Sequence, residues 1–349
     1  MNVLNVILGL QKMFNYNWKL SDGYPDKEVK YHGKKVFTTF ACGGGSSMGY
    51  KLAGYNVIGA NDIDPQMKKV YVENHHPNHY FLESIADLHK RTDLPDELFD
   101  IDILDGSPPC STFSMAGSRE KAWGKDKVFR EGQAKQLLSD LFFEFIKLAE
   151  VLKPKVIIAE NVKGMLAGNA KGYLIMIKQE IEKIGYDVQI FLLNAATMGV
   201  PQRRERVFIL CRRKDLSLPK IEMVFNEKNI IFSEFSDRKG KEISGRILGL
   251  WGKRIITDKD FGTINLREIG KQNEFGRKFV FDNETPKTIL AGDMNIPYSS
   301  PRYMSRHELC CSGSFPQDYN FMNLDDKYLI GMSVPPVMMA QVANQVYNQ

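Results

Sequence analysis

Val36-Phe37-Thr38-Thr39-Phe40 is a β-branched and aromatic run that stops at Gly43-Gly44-Gly45. A short strand running straight into glycines lets the backbone approach a ligand at the carboxyl end of a strand, where open sheets bind nucleotides. A helix-like segment follows, and Asn56-Val57-Ile58-Gly59-Ala60 reads as a second strand ending at Asn61-Asp62. Apolar runs at Ile101-Asp102-Ile103-Leu104, Val156-Ile157-Ile158-Ala159 and Val207-Phe208-Ile209-Leu210 continue the pattern. Between them lie helical stretches, the clearest from Gln136 to Leu152, with apolar residues three and four apart. Strands alternating with helices predict an α/β fold, a mostly parallel sheet with helices on both faces.

Outside this stretch the texture differs. Residues 1–33 end in the polar, turn-rich Ser21-Asp22-Gly23-Tyr24-Pro25-Asp26 and read as an N-terminal extension. From about 216 to 300 the chain carries short strands, frequent Gly and Lys, and no strong helical period, which predicts a smaller separate domain. Val337 to Tyr347 reads as helical again. With 349 residues, 43% apolar and 26% charged, the chain can bury a sizeable core, which excludes a disordered chain, a collagen-like repeat and a disulfide scaffold. Five cysteines, an odd number, fit a reducing compartment. The net charge of +5 permits a polyanionic partner without demanding one. Val3-Leu4-Asn5-Val6-Ile7-Leu8-Gly9-Leu10 is far short of the roughly 18–20 residues a bilayer needs, so an amphipathic helix and a cytoplasmic location are expected.

The glycines together with Asp62, whose carboxylate can accept from ribose hydroxyls, point to an adenosine-type cofactor. Strand 101–104 runs into Asp105-Gly106-Ser107-Pro108-Pro109-Cys110-Ser111-Thr112-Phe113-Ser114. Two prolines fix the backbone ahead of Cys110, and a cysteine on a rigid turn suits nucleophilic attack once ionised. The next strand ends in Glu160-Asn161-Val162, a carboxyl at the same sheet edge that could carry a proton. Gly199-Val200-Pro201-Gln202-Arg203-Arg204-Glu205-Arg206 precedes a further strand, and alternation along an extended chain would put Gln202, Arg204 and Arg206 on one face. Converging guanidiniums could hold Glu160, polarise a carbonyl oxygen or grip phosphate.

The ordered set Phe40-Ala41-Cys42-Gly43-Gly44, Pro108-Pro109-Cys110, Glu160-Asn161-Val162, Gln202-x-Arg204-x-Arg206 and Gly331-Met332-Ser333-Val334-Pro335-Pro336 resembles the DNA cytosine-5 methyltransferase family, from about residue 35 to the C-terminus. The resemblance implies a Rossmann-like catalytic domain over 34–215, completed by 322–349 with a returning strand and helix. A smaller irregular, β-rich target-recognition domain would occupy 216–321. It implies methyl transfer from S-adenosylmethionine to carbon 5 of a flipped cytosine. Cys110 would be the nucleophile, Glu160 would act at ring nitrogen N3, Arg206 at oxygen O2, and Arg204 would brace the site. Around the cofactor it places Phe40, Cys42, Gly43, Gly45, Asp62, Ile63, Ser84, Ile85, Pro109, Leu141, Ser333 and Val334. DNA contacts would come from Ser114, Arg119, Lys121, Trp123 and Arg130, in or beside a basic loop, and from Gln202; no metal is implied. The partner is double-stranded DNA, the enzyme is expected to be a monomer, and a cognate restriction endonuclease acting separately is compatible with the resemblance. Cys42, Ser84 and Met332 depart from the residues usual in the family at those positions. A transfer-RNA cytosine-5 methyltransferase of the same family and a non-catalytic DNA-binding relative remain as alternatives. A nicotinamide dehydrogenase, suggested only by the glycines and Asp62, leaves Cys110, Glu160 and Arg206 unexplained.

Overall fold

The computed structural model describes residues 14–109, 141–168 and 170–349. Expectations for 1–13 and for 110–140, including the N-terminal helix, Cys110 and the basic loop, lie outside the described residues. The chain divides into two compact units, one of residues 23–194, 205–224 and 339–349, the other of residues 1–22, 195–204 and 225–338.

The first unit is built on seven strands: β1 (Lys35–Thr39), β2 (Asn56–Asp62), β3 (His79–Leu82), β4 (Ile103–Gly106), β5 (Val156–Val162), β6 (Tyr186–Asn194) and β7 (Glu205–Arg213). Their order is β3-β2-β1-β4-β5-β7-β6. β3 to β5 run parallel, whereas β7 is antiparallel to both β5 and β6. Its helices are α1 (Gly45–Leu52), α2 (Pro65–His75), α3 (Ile85–Leu88), α4 (Leu141–Leu152) and α5 (Ala170–Lys183). Alternation along the strands sorts their side chains. Phe37, Leu104, Ile157 and Ile209 join Phe145 and Leu148 of α4 and Ile177 of α5 in one buried cluster. One position along, Asp105 accepts from the hydroxyls of Thr38 on β1 and Tyr50 on α1. The strand order reverses between β1 and β4, the switch point where open α/β sheets place their ligands.

The second unit carries α6 (Gly245–Gly252), α7 (Phe261–Ile269), β8 (Arg277–Val280), β9 (Met294–Pro297), α8 (Arg306–Gly313) and α9 (Asp326–Met332). Its core is Ile243, Phe261, Ile264, Phe279 and Ile296. The expected β-rich character is corrected here: the described strands are one parallel pair, β8–β9, among four helices. The C-terminal segment is likewise helical only, with Ser333 to Pro335 leading into α10 (Pro336–Asn348) and no strand returning.

The boundaries are more interleaved than composition suggested. Residues up to Val224 stay with the sheet because Gln189 of β6 exchanges two hydrogen bonds with Ile221. The N-terminal extension divides. Trp18 Nε1 donates to the Ser314 carbonyl and Asp318 accepts from the Leu20 and Ser21 amides, all in the second unit, while His32 N donates to Gly54 O in the first.

Candidate active site

The turn after β1 is wound tightly: Phe40, Cys42 and Gly44 have φ of 53°, 47° and 81°. Gly44 is obligatory, since a Cβ there would lie 2.0 Å from His75 Nε2. Cys42 holds a left-handed conformation that favours glycine, so the departure at this position keeps the glycine geometry at a strain of about 1 kcal/mol. Its amide donates to Asp62 Oδ2 at 2.8 Å, and Asp64 N donates to Asp62 Oδ1 at 2.9 Å. Burial pushes the Asp62 carboxyl up, against the pull of these amides. A carboxylate oxygen has two lone pairs, so Asp62 retains acceptor capacity for a diol.

Beside Asp62, Ile63 is half-buried; Gly43 and Gly45 are buried in the turn. Ser84 caps α3 through an Oγ that accepts from Ala86 N at 3.2 Å. Ile85 and Leu141 are buried in the core cluster of the sheet, with Phe40 packed against it. Pro109 is half-buried at the end of the described stretch.

At the carboxyl end of β5, Glu160 Oε1 lies 2.9 Å from Arg206 Nε, both side chains being only about one-eighth exposed (12% and 13%). Arg206 Nη1 donates to the Glu205 carbonyl at 2.8 Å, which leaves Nη2 with no partner among the described residues. Asn161, buried beside Glu160, donates from Nδ2 to the Pro108 carbonyl at 3.0 Å, and its Oδ1 accepts from Val162 N at 2.8 Å. Asn161 therefore ties the Glu-Asn-Val strand to the prolines that precede Cys110, a role the sequence reading missed. Asp105 was missed too. Its carboxylate is buried, accepts from Thr38 Oγ1 at 2.9 Å and Tyr50 OH at 3.1 Å, and burial pushes its pKa up to about 7.

The convergence of Gln202, Arg204 and Arg206 is corrected. β7 begins only at Glu205, so alternation does not extend back to Gln202. Gln202 is 1% exposed; Nε2 donates to the Ser312 carbonyl and Oε1 accepts from Ile289 N, so it is not presented to DNA. Arg204, also buried, donates to the carbonyls of Ile289, Gly331 and Ser333. Both act inside the second unit, whereas Arg206 serves the sheet. Ser333 and Val334 are buried in that second unit, the Ser333 hydroxyl donating to Leu329 O at 2.7 Å, while Met332 is half exposed.

A family model for C-5 cytosine-specific DNA methylases matches residues 35–348. The chain belongs to that family. The methylase is 27% identical over 340 residues to the type II methyltransferase M.NgoPII of Neisseria gonorrhoeae, covering 90% of this chain and 95% of that protein. It is 32% identical over 216 residues to the type II methyltransferase M.FnuDI of Fusobacterium nucleatum, covering 61% and 58%. A solved DNA modification methyltransferase encoded in an E. coli prophage superposes with a TM-score of 0.66 at 20% identity, covering 90% of this chain and 99% of that one, a likeness of fold. The methylase is a DNA (cytosine-5-)-methyltransferase, and its family uses S-adenosylmethionine as methyl donor. Among the described residues no helix is long and apolar enough to cross a membrane.

Proposed function

We propose that the methylase modifies carbon 5 of a flipped cytosine in double-stranded DNA through a covalent adduct to Cys110, at a specific site and as a monomer in the cytoplasm. The observation that carries this reading is the Glu160–Arg206 pair between β5 and β7, with Asn161 of β5 holding Pro108, two residues before Cys110 in sequence. Carbon 5 is a poor nucleophile within the aromatic ring. Addition of the Cys110 thiolate to carbon 6 breaks the aromaticity and moves electron density to carbon 5. Glu160 holds a proton at N3, which offsets the charge that grows during attack, and Arg206 keeps the carboxyl aimed through Nε and serves oxygen O2 with a remaining N–H. Loss of the carbon 5 proton and expulsion of the thiolate restore the ring. A base stacked in a duplex cannot reach Cys110, so flipping precedes attack at a cost of a few kcal/mol.

The tight turn at Phe40 to Gly45 and the Asp62 carboxylate suit an adenosine-bearing donor, with Ile63, Ser84 and Pro109 just past strand ends and Ile85 and Leu141 opening helices α3 and α4. S-adenosylmethionine, when bound, supplies an electrophilic methyl group. The relatives named as type II methyltransferases favour a role in restriction–modification, with a cognate nuclease acting separately. A long amplified duplex containing 5-fluorocytosine, incubated with the methylase and S-adenosylmethionine, tests the reading. It should yield a complex that survives denaturation, absent for Cys110→Ala. Fluorine at carbon 5 cannot leave as a proton does, so the adduct is trapped. No adduct on duplex DNA, with one on similarly substituted transfer RNA, would reassign the substrate.

A further inference from the structure

At the opposite, amino edge of the sheet lies a cavity of about 420 Å³. Ile103, Val156, Leu218 and Val346 give it an apolar wall, and Lys34, Asp102, Lys155 and Arg212 its charge. Asp102 is already engaged, with Oδ1 2.8 Å from Lys155 Nζ and Oδ2 accepting from Lys35 N at 2.8 Å. Arg212 is 6% exposed, and burial pushes its guanidinium down. Among the described residues it donates only to the Pro219 carbonyl, its buried Nε has no hydrogen-bond partner, and no carboxylate is ion-paired with it. Its cross-strand neighbour Asp187 is turned to solvent. Lys34, exposed at the rim, has its Nζ 4.8 Å over the Tyr347 ring and no carboxylate partner among the described residues.

We propose that this cavity binds a small organic phosphate, with Arg212 in the wall and Lys34 at the rim as its charge partners. An ionised group held out of water without a counter-charge costs several kcal/mol, and an arriving anion removes that cost. A phosphate monoester dianion matches the two uncompensated cations and accepts several hydrogen bonds, while the apolar wall takes its organic body. The volume is that of an ordinary ligand site. Because the cavity sits at the sheet edge away from Glu160 and Asp62, the proposal stands apart from the methyl-transfer reading.

Phenyl phosphate is a suitable probe, compared with inorganic phosphate and with sodium chloride at equal ionic strength, in phosphate-free buffer. Phenyl phosphate should raise Tm saturably, by about 2–3 °C at a tenfold excess over its Kd, with inorganic phosphate weaker and chloride without effect. Arg212→Met should melt at or above the wild type in phosphate-free buffer, since it removes an unpaired buried charge, and should lose the phenyl phosphate shift. Lys34→Gln, at an exposed position that folding does not depend on, should keep Tm and weaken binding severalfold. A shift no larger than that of salt, or one unchanged in both variants, overturns the proposal.

Discussion

Asp105 shows how far one side chain's state is set by its surroundings. Burial favours its neutral form, the nearby Glu160 adds to that, and the Thr38 and Tyr50 hydroxyls oppose it, leaving a pKa of about 7 against the ordinary 3.8. A carboxyl raised on folding stabilises the fold below its unfolded pKa and loses that contribution as pH rises through the folded one. The loss here falls between about pH 4 and pH 7 and amounts to roughly 4 kcal/mol, at 1.36 kcal/mol per unit. Asp105→Asn keeps the shape and an acceptor oxygen but cannot ionise. Its urea midpoint should exceed that of the wild type at pH 8, and the gap should close towards pH 4. A constant gap across that range would show that Asp105 does not titrate there.

At the scale of elements, the Gln-x-Arg-x-Arg segment is divided between tasks. Arg204 satisfies carbonyls at Ile289, Gly331 and Ser333, so Arg204→Met strands buried acceptors and should destabilise the second unit by about 2–4 kcal/mol. Met332→Asn, at a half-exposed neighbouring position, should stay within about 0.5 kcal/mol. Denaturant titration followed by tryptophan fluorescence compares them; equal effects would refute the bracing role. The division was not legible because alternation holds only within a strand, and the strand starts at Glu205. The central strands β1, β2, β4, β5 and β7 were legible as apolar runs, each with a neighbour on both sides. β3 and β6 escaped notice because they are the edges, with mixed or exposed side chains that blur the signal. Without β6 the antiparallel sense of β7 could not be inferred. The glycine turn, Asp62 and Glu160 were legible because a strand end fixes where each side chain must stand, whereas Asn161's hold on Pro108 joins residues 53 apart and leaves no local trace.

Over the whole molecule, charge is distributed unevenly. Residues 238–278 hold 11 of the 47 Lys and Arg but 5 of the 42 Asp and Glu, an excess of +6, so the remaining 308 residues carry −1. Much of that stretch is internally paired, as in Arg267–Asp258, Lys253–Glu268 and Arg246–Glu274. Arg238, Lys239 and Lys241 are exposed and form no ion pair among the described residues. Their segment is firmly seated: a Cβ on Gly240 would lie 1.6 Å from the Tyr303 carbonyl, and Tyr303 N donates to Lys241 O at 2.9 Å. Cations displayed on a fixed backbone without internal partners suit contacts to phosphates, which release counterions and make affinity fall with salt. Neutralising Lys239 and Lys241 together as Gln should therefore weaken binding to all duplexes about equally. It should also flatten the slope of log K against log salt by about 0.9 per lost contact, up to roughly 1.8 for both. Site preference and Tm should be retained, because neither side chain is buried or paired. Filter binding from low to moderate salt measures this, and an unchanged slope would move the DNA-facing surface of the second unit elsewhere.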